Sequence, residues 1–242
     1  MTFGIDGCKF GWIVIGIAKD QSFIVKKYRT FQDFFQEFPN AKNYLIDMPL
    51  GLADQNYFRD IEKLAREKLK PNKTSTIFSP PCRAAVFAQT YESAKEINIK
   101  LTGKSISIQA WNICQKIREM DEFLIENKSV ISKIHEAHPE ICFASLNNGK
   151  PLISKKKTKE GQQERLALLK QYFPKSMEIF DFYQSNFLKK DVKIDDILDA
   201  LCLSITGYLG NKIGFSYLKT KPNLDAHKIP MNMIFVDGKK SI

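Results

Sequence analysis

The sequence predicts an α/β fold built on a mixed sheet. Residues 2–8, 11–18 and 22–28 read as three short apolar strands, with Gly4, Gly7 and Gly11 punctuating the first turn. TFQDFFQEF follows, with Phe31, Phe34, Phe35 and Phe38 at the i, i+3, i+4, i+7 spacing of an amphipathic helix. A fourth apolar run, YLID (44–47), is stopped by Pro49. The order β-β-β-α-β makes a meander joined by a crossover helix to a strand parallel to the first. Strands one and four are then neighbours, and Asp6 and Asp47, each closing an apolar run, share the sheet edge where ligands of open α/β sheets bind.

Each element has local grounds. Thr30 is placed to cap the first helix. FRDIEKLAREKL (58–69) and SIQAWNICQKIREMDEFLIEN (107–127) have helical spacing, and two prolines stiffen the loop SPPCR (79–83) between them. ISKIHEA (131–137) reads as a fifth strand ended by Pro139, KPLISKKKTKEG (150–161) as a basic loop, and ERLALLKQYF as part of a helix. DDILDALCLSITGYLG (195–210) is apolar on every face after Asp199, so it is a buried helix, with Asp195 placed as its N-cap. No internal repeat, low-complexity tract or clear linker stands out. One domain over 1–242 with a helical insertion at about 52–130 is expected.

Composition narrows the class. The chain has 242 residues, 43% hydrophobic and 26% charged, ordinary for a globular protein with a sizeable core. No run approaches the ~18 apolar residues of a membrane span, and no secretion signal is visible. Cys8, Cys82, Cys114, Cys142 and Cys202 are dispersed with no C-x-x-C pair, which reads as reduced thiols in a cytoplasmic protein. The net charge of +10 suits a polyanionic partner, although a Lys-, Ile- and Asn-rich composition also produces such an excess.

Four carboxylates carry the chemistry. Asp196 and Asp199 stand three apart on one face of the late helix. If that helix packs across the strand ends, they meet Asp6 and Asp47. Mutual repulsion then calls for a divalent cation, and hard oxygen donors suit Mg²⁺ or Mn²⁺. Ordinary structural uses exist for most of them. Asp6 can bond turn amides, Asp47 can serve a turn, and Asp195 and Asp196 can cap the helix. Capping does not explain Asp199, which sits among Leu198, Ala200 and Leu201.

In HEAHPE (135–140), Glu136 and His138 would share a face of an extended strand. Glu136 is a candidate further ligand and His138 a candidate for ordering a water; a hydrogen-bonded strand end explains both equally well. The block lacks the H-E-x-x-H spacing of zinc proteases. Arg83, Lys156, Lys157 and Arg165 are candidate phosphate contacts, Arg83 because prolines pin it; a solvated loop is the ordinary reading of the others. Trp111 fits a helix core better than a base-stacking platform.

GIDGCKFGW, LIDMPLGL, SPPCRAA, GKSISIQAWNICQKIREMD, HEAHPEICFASLNNGKPL, SKKKTKEGQQERLALL and DDILDAL occur in this order. Together they resemble the predicted-nuclease family known as domain of unknown function 429 (DUF429), and the likeness spans nearly the whole chain. That resemblance implies a ribonuclease-H-like fold, similar to Holliday-junction resolvases and ribonuclease H. In that superfamily a first-strand Asp, a fourth-strand acid and late-helix acids hold the metals. Carried over by motif, these are Asp6, Asp47, Asp196 and Asp199. The sequence departs at Phe10, where the family often has a second glycine, which implies altered turn packing beside an unaffected Asp6.

The resemblance implies a metal-dependent nuclease acting on DNA or RNA by two-metal hydrolysis. Chemistry on a small phosphate compound, and a non-catalytic nucleic-acid-binding module, remain alternatives. GIDGCKFGW also superficially resembles the first hairpin of sugar kinases and actin-like ATPases. Those need a second, duplicated domain, and this chain shows no repeat.

Overall fold

A computed structural model of the protein describes residues 1–238. The elements run β1 (Thr2–Gly7), β2 (Trp12–Ile17), β3 (Phe23–Tyr28), α1 (Phe31–Glu37), β4 (Asn43–Ile46), α2 (Ile61–Lys68), α3 (Arg83–Val86), α4 (Tyr91–Thr102), α5 (Ile108–Asn112), α6 (Cys114–Glu126), β5 (Ile134–Glu136), α7 (Pro139–Leu146), α8 (Lys159–Tyr172), α9 (Ser176–Asn186) and α10 (Ile194–Ile213). Four two-residue strands follow: β6 (Ser216–Tyr217), β7 (Asn223–Leu224), β8 (Pro230–Met231) and β9 (Ile234–Phe235). They pair as β6 with β9 and β7 with β8.

The main sheet is five-stranded and mixed, in the order β3-β2-β1-β4-β5. β1, β2 and β3 are antiparallel neighbours, while β4 is parallel to β1 and β5 to β4. This is the sheet that the β-β-β-α-β order implies. Helices α2 to α6 all lie between β4 and β5 in the chain. Thr30 caps α1 in a reciprocal box: Asp33 N–H donates to Thr30 Oγ1 at 3.1 Å, and Thr30 N–H donates to Asp33 Oδ2 at 3.3 Å.

Alternation along the strands divides the core. Phe3, Ile5, Trp12, Val14, Tyr44 and Ile46 pack on one face with Phe31 and Phe34 of α1 and Ile117, Met120 and Phe123 of α6. Ile13, Ile15, Val25 and Leu45 pack on the other face with α10. By the same two-residue period, Asp6 lies on Gly4's side of β1 and Asp47 on Leu45's side of β4, both toward α10. Gly4 permits the contact. A Cβ there would lie 2.1 Å from both Ala200 O and Ser204 N, so the helix backbone rests directly on the strand.

Several boundaries differ from the sequence reading. The 107–127 helix breaks at Ile113, which ends α5 and begins α6. Residues 128–133 form 3-10 turns, leaving only Ile134–Glu136 as strand. Asp195 is not the N-cap of α10. Lys193 holds that position, and Asp196 accepts its backbone N–H at 2.9 Å.

Gly4→Ala should therefore cost about 3 kcal/mol, because rigid backbone fills the space. Gly7→Ala, which meets the middle of the flexible Lys116 side chain at 2.9 Å, should cost clearly less. Urea unfolding of the two variants measures the difference.

Candidate metal centre

Backbone pairing fixes the first two carboxylates. Asp47 N–H donates to Ile5 O at 3.0 Å, which extends the β1–β4 ladder one residue past β4 and sets Asp47 beside Asp6. α10 supplies the third. One carboxylate oxygen from each of Asp6, Asp47 and Asp199 lies within 4.8 Å of the other two. Asp199 is 2% exposed and Asp6 9%.

Such a group resists ionisation. Burial, then the charges of Asp47 and Asp199, hold Asp6 well above the ordinary carboxylate range. Burial raises Asp47 to about 6, Lys156 opposing and Glu140 adding to the shift. Asp199 is likewise raised by burial to about 6, with Lys156 opposing and Asp47 adding. Lys156, from the loop before α8, is the counter-charge, its Nζ 2.7 Å from Asp199 Oδ2 and 3.9 Å from Asp195 Oδ2. Burial works against that ammonium, but Asp199 and Asp6 outweigh it and its pKa rises.

The three acids line a cavity of about 600 Å³ whose wall also includes Lys116, Glu136, His138, Glu140, Lys156 and Lys157. The other sequence candidates fall differently. Asp196 is spent on the helix cap; its charge still raises Asp6, and burial pushes its own pKa to about 6. Glu136 reaches the cavity wall but accepts from Arg59 Nη2 at 2.6 Å and Leu50 N–H at 2.8 Å. Arg83 is outside the cavity wall, paired with Asp121 at 2.8 Å and with Asp225. Arg165 is fully buried and pairs with Glu140 at 2.5 Å, so it does not face solvent as a phosphate contact. Trp111 is partly buried against Tyr91.

The strand ends at Glu136, so His138 does not share a strand face with it and instead occupies the N-cap position of α7, its side chain making no cap bond. Burial pushes His138 down to about 4, leaving the ring neutral. Glu140 and Lys116 are charged cavity residues that the sequence patterns do not mark. Glu140 lies inside the quoted HEAHPE block, where strand alternation picks out Glu136 instead. Lys116, whose Nζ donates to Gly11 O at 2.5 Å and lies 4.4 Å from the Trp12 ring centre, falls inside the quoted GKSISIQAWNICQKIREMD block, where helical spacing alone gives it no role.

The donor set fits a hard divalent cation. It consists of carboxylate oxygens, and Asp199 Oδ1 is buried without a hydrogen-bond partner. A fold with three carboxylates gathered at adjacent strand ends defines an α/β protein with an acidic cleft. The chain belongs to the family described as Protein of unknown function (DUF429), whose model matches residues 4–212. No curated protein and no solved structure matches it. Among the described residues, no helix is long and apolar enough to cross a membrane.

Groups whose folded pKa is raised bind protons more tightly when folded. Their stabilising contribution is present below about 4 and is lost as pH rises through about 6. At pH 8 and without metal, Asp199→Asn should melt above wild type, the gap closing toward pH 5. Mg²⁺ or Mn²⁺ should raise the wild-type midpoint at pH 8, corresponding to about 2.7 kcal/mol of added stability at a hundred times Kd, and the variant should lose most of that response. Calorimetric melting across pH checks both.

Proposed function

We propose that this protein is a divalent-metal-dependent nuclease that hydrolyses phosphodiester bonds in DNA or RNA. The observation that carries the reading is the convergence of Asp6, Asp47 and Asp199 in one cavity, from β1, the end of β4 and α10. The sheet order and these three positions agree with the ribonuclease-H-like plan that the family resemblance implies. Asp6, Asp47 and Asp199 would hold Mg²⁺ or Mn²⁺. When bound, the metal supplies charge neutralisation at phosphorus and activation of a water, and a two-ion arrangement would also stabilise the leaving oxygen.

The chain's own residues set the conditions for that chemistry. The carboxylates are fixed on regular elements, so the donor geometry is set before substrate arrives. Lys116, Lys156 and Lys157 place positive charge along the cavity wall, where a phosphate would meet it. The +10 net charge favours capture of a polyanion. Lys156 remains protonated, so it acts as a cation and not as a base.

A second reading, hydrolysis or transfer on a small phosphate compound, draws on the cavity itself. About 600 Å³ lies within the range of small-molecule sites.

End-labelled single-stranded, duplex and branched DNA and RNA, incubated with Mn²⁺ and protein, test the proposal. Wild type should cleave at least one class, and Asp6→Asn should lose about a hundredfold or more of that rate. Cleavage that survives Asp6→Asn would remove the cluster from the reaction. Phosphate release from nucleotides or sugar phosphates, without polymer cleavage, would favour the second reading. Binding without any turnover would leave a nucleic-acid-binding module.

A further inference from the structure

A pocket at the other end of the sheet from the aspartates has the opposite character. It encloses about 290 Å³ between the start of β1, the residue ahead of β4, the end of β2 and the last turns of α10. Lys19, Lys42 and Lys212 line it, together with Thr2, Tyr208 and Asn211, and among the described residues no acid does. The metal cleft and the cavities beside Glu136 and Glu62 all carry carboxylates. Thr2 and Asp6 stand toward opposite ends of β1, ~13 Å apart at ~3.3 Å per residue, so the pocket is separate from the cleft.

Its charges are uncompensated. Among the described residues, Lys26, Lys27, Lys70, Lys156 and Lys219 are the lysines paired with acids, and none of these three is. Asp20, next to Lys19 in the chain, turns instead to Ser22, accepting its N–H at 3.0 Å and its hydroxyl at 2.7 Å. Lys212 lies in the last turn of α10, where its charge also offsets the carbonyl end of the helix. Lys19 and Lys42 have no such local use. Three like charges around one hollow focus a positive potential into it.

The uncharged groups are set to donate as well. Asn43 Nδ2 donates to Asn211 Oδ1 at 2.8 Å, and Asn211 Nδ2 donates to Thr2 Oγ1 at 2.6 Å. Thr2, 2% exposed, thus has its oxygen engaged and its proton left to give. Lys212 Nζ donates to the Tyr208 hydroxyl at 2.6 Å, which leaves the Tyr208 proton in the same state.

We propose that this pocket binds a phosphate-bearing anion, with Lys19, Lys42 and Lys212 on its charged oxygens and the Thr2 and Tyr208 hydroxyls donating to it. A carboxylate brings one charge and two oxygens, fewer than the donors present, whereas a phosphoryl or diphosphoryl group brings more of both. Lysine serves phosphate as a point charge on a flexible stem. Ile17 and the Tyr208 ring give an apolar wall for the organic part of such a ligand. The inference does not rest on the nuclease reading, since none of these residues belongs to the cleft.

Calorimetric titration of the full chain with pyrophosphate, in EDTA, tests it. Wild type should bind one pyrophosphate per chain, more weakly as salt rises. Lys19→Gln and Lys42→Gln should each weaken binding by about tenfold, and adding Lys212→Gln to both should abolish it. Tyr208→Phe, which keeps every charge, should also weaken it. A charge-matched triple, Lys95→Gln with Lys100→Gln and Lys128→Gln, should bind as wild type does. All six lysines are exposed, so both triples should melt as cooperatively as wild type. Competition then names the source of the phosphate. Displacement by a nucleoside diphosphate, but not by a short oligonucleotide lacking terminal phosphates, supports the site with a small phosphorylated ligand. Equal displacement by the oligonucleotide supports it with a polynucleotide backbone. Absence of pyrophosphate binding at millimolar concentration would overturn the proposal. So would equal losses in the two triples, which would reduce the effect to net charge. Binding that survives the pocket triple and disappears in Lys156→Gln would overturn it too, by placing the anion in the metal cleft.

Discussion

The crossing of α10 over β1 at Gly4 is the contact on which the site depends. Strand alternation turns Asp6 and Asp47 toward the helix, and the absence of a side chain at Gly4 lets the helix come down to the strand backbone. Asp199, one residue before Ala200, then has nowhere to go except among the other acids. The arrangement resists ionisation, chiefly because the acids are buried. Raising Asp199 from 3.8 to about 6 corresponds to about 3 kcal/mol of disfavoured ionisation. Ile197, Leu198, Leu201, Leu203 and Ile205 bury completely along the same helix, each worth ~1.5–3 kcal/mol. Packing wins, and the carboxylates are held together by apolar burial that does not involve them.

Two buried arginine networks build the rest of the cleft. Arg59 joins Glu62 and Glu136 and donates to Leu50 O and Gly51 O, fixing the chain just after β4. Arg83 joins Asp121 of α6 to Asp225, whose carboxylate also accepts from Leu52, His227 and Ile229 N–H. The helices between β4 and β5 are thereby locked to the segment after α10. These networks consume charges that a linear reading leaves free, and both arginines act as internal braces.

The sheet was legible because its signals are local. Phe31, Phe34, Phe35 and Phe38 mark a helix, and strand length and glycine placement mark the meander before it. Asp199 was legible because an acid inside an apolar helix lacks a local use. Arg83, Arg165, Glu136 and Glu140 were not, because their roles depend on partners such as Asp225 and Ser154 that no spacing rule connects to them. Asp196 was half legible: the helix face was right, but its carboxylate serves the Lys193 amide. The fifth strand was legible but reads too long from sequence for the same cause, since the alternation of ISKIHEA does not reveal that 3-10 turns occupy its first residues.

Lys156 gives the cleft a distinctive behaviour. The aspartates stand at the ends of β1 and β4 and within α10, whereas Lys156 reaches Asp199 from an irregular segment ahead of α8, its side chain 40% exposed. The cleft thus carries its own tethered cation. An ammonium on a short leash competes at high effective concentration, so on the proposed reading an incoming ion would enter by exchange and not by simple addition. The displaced ammonium would stay at the mouth, next to the charge that replaced it. Loading the cleft would thereby convert an internal neutralising group into a positive rim, and the attraction for an anion would rise with the arrival of the metal.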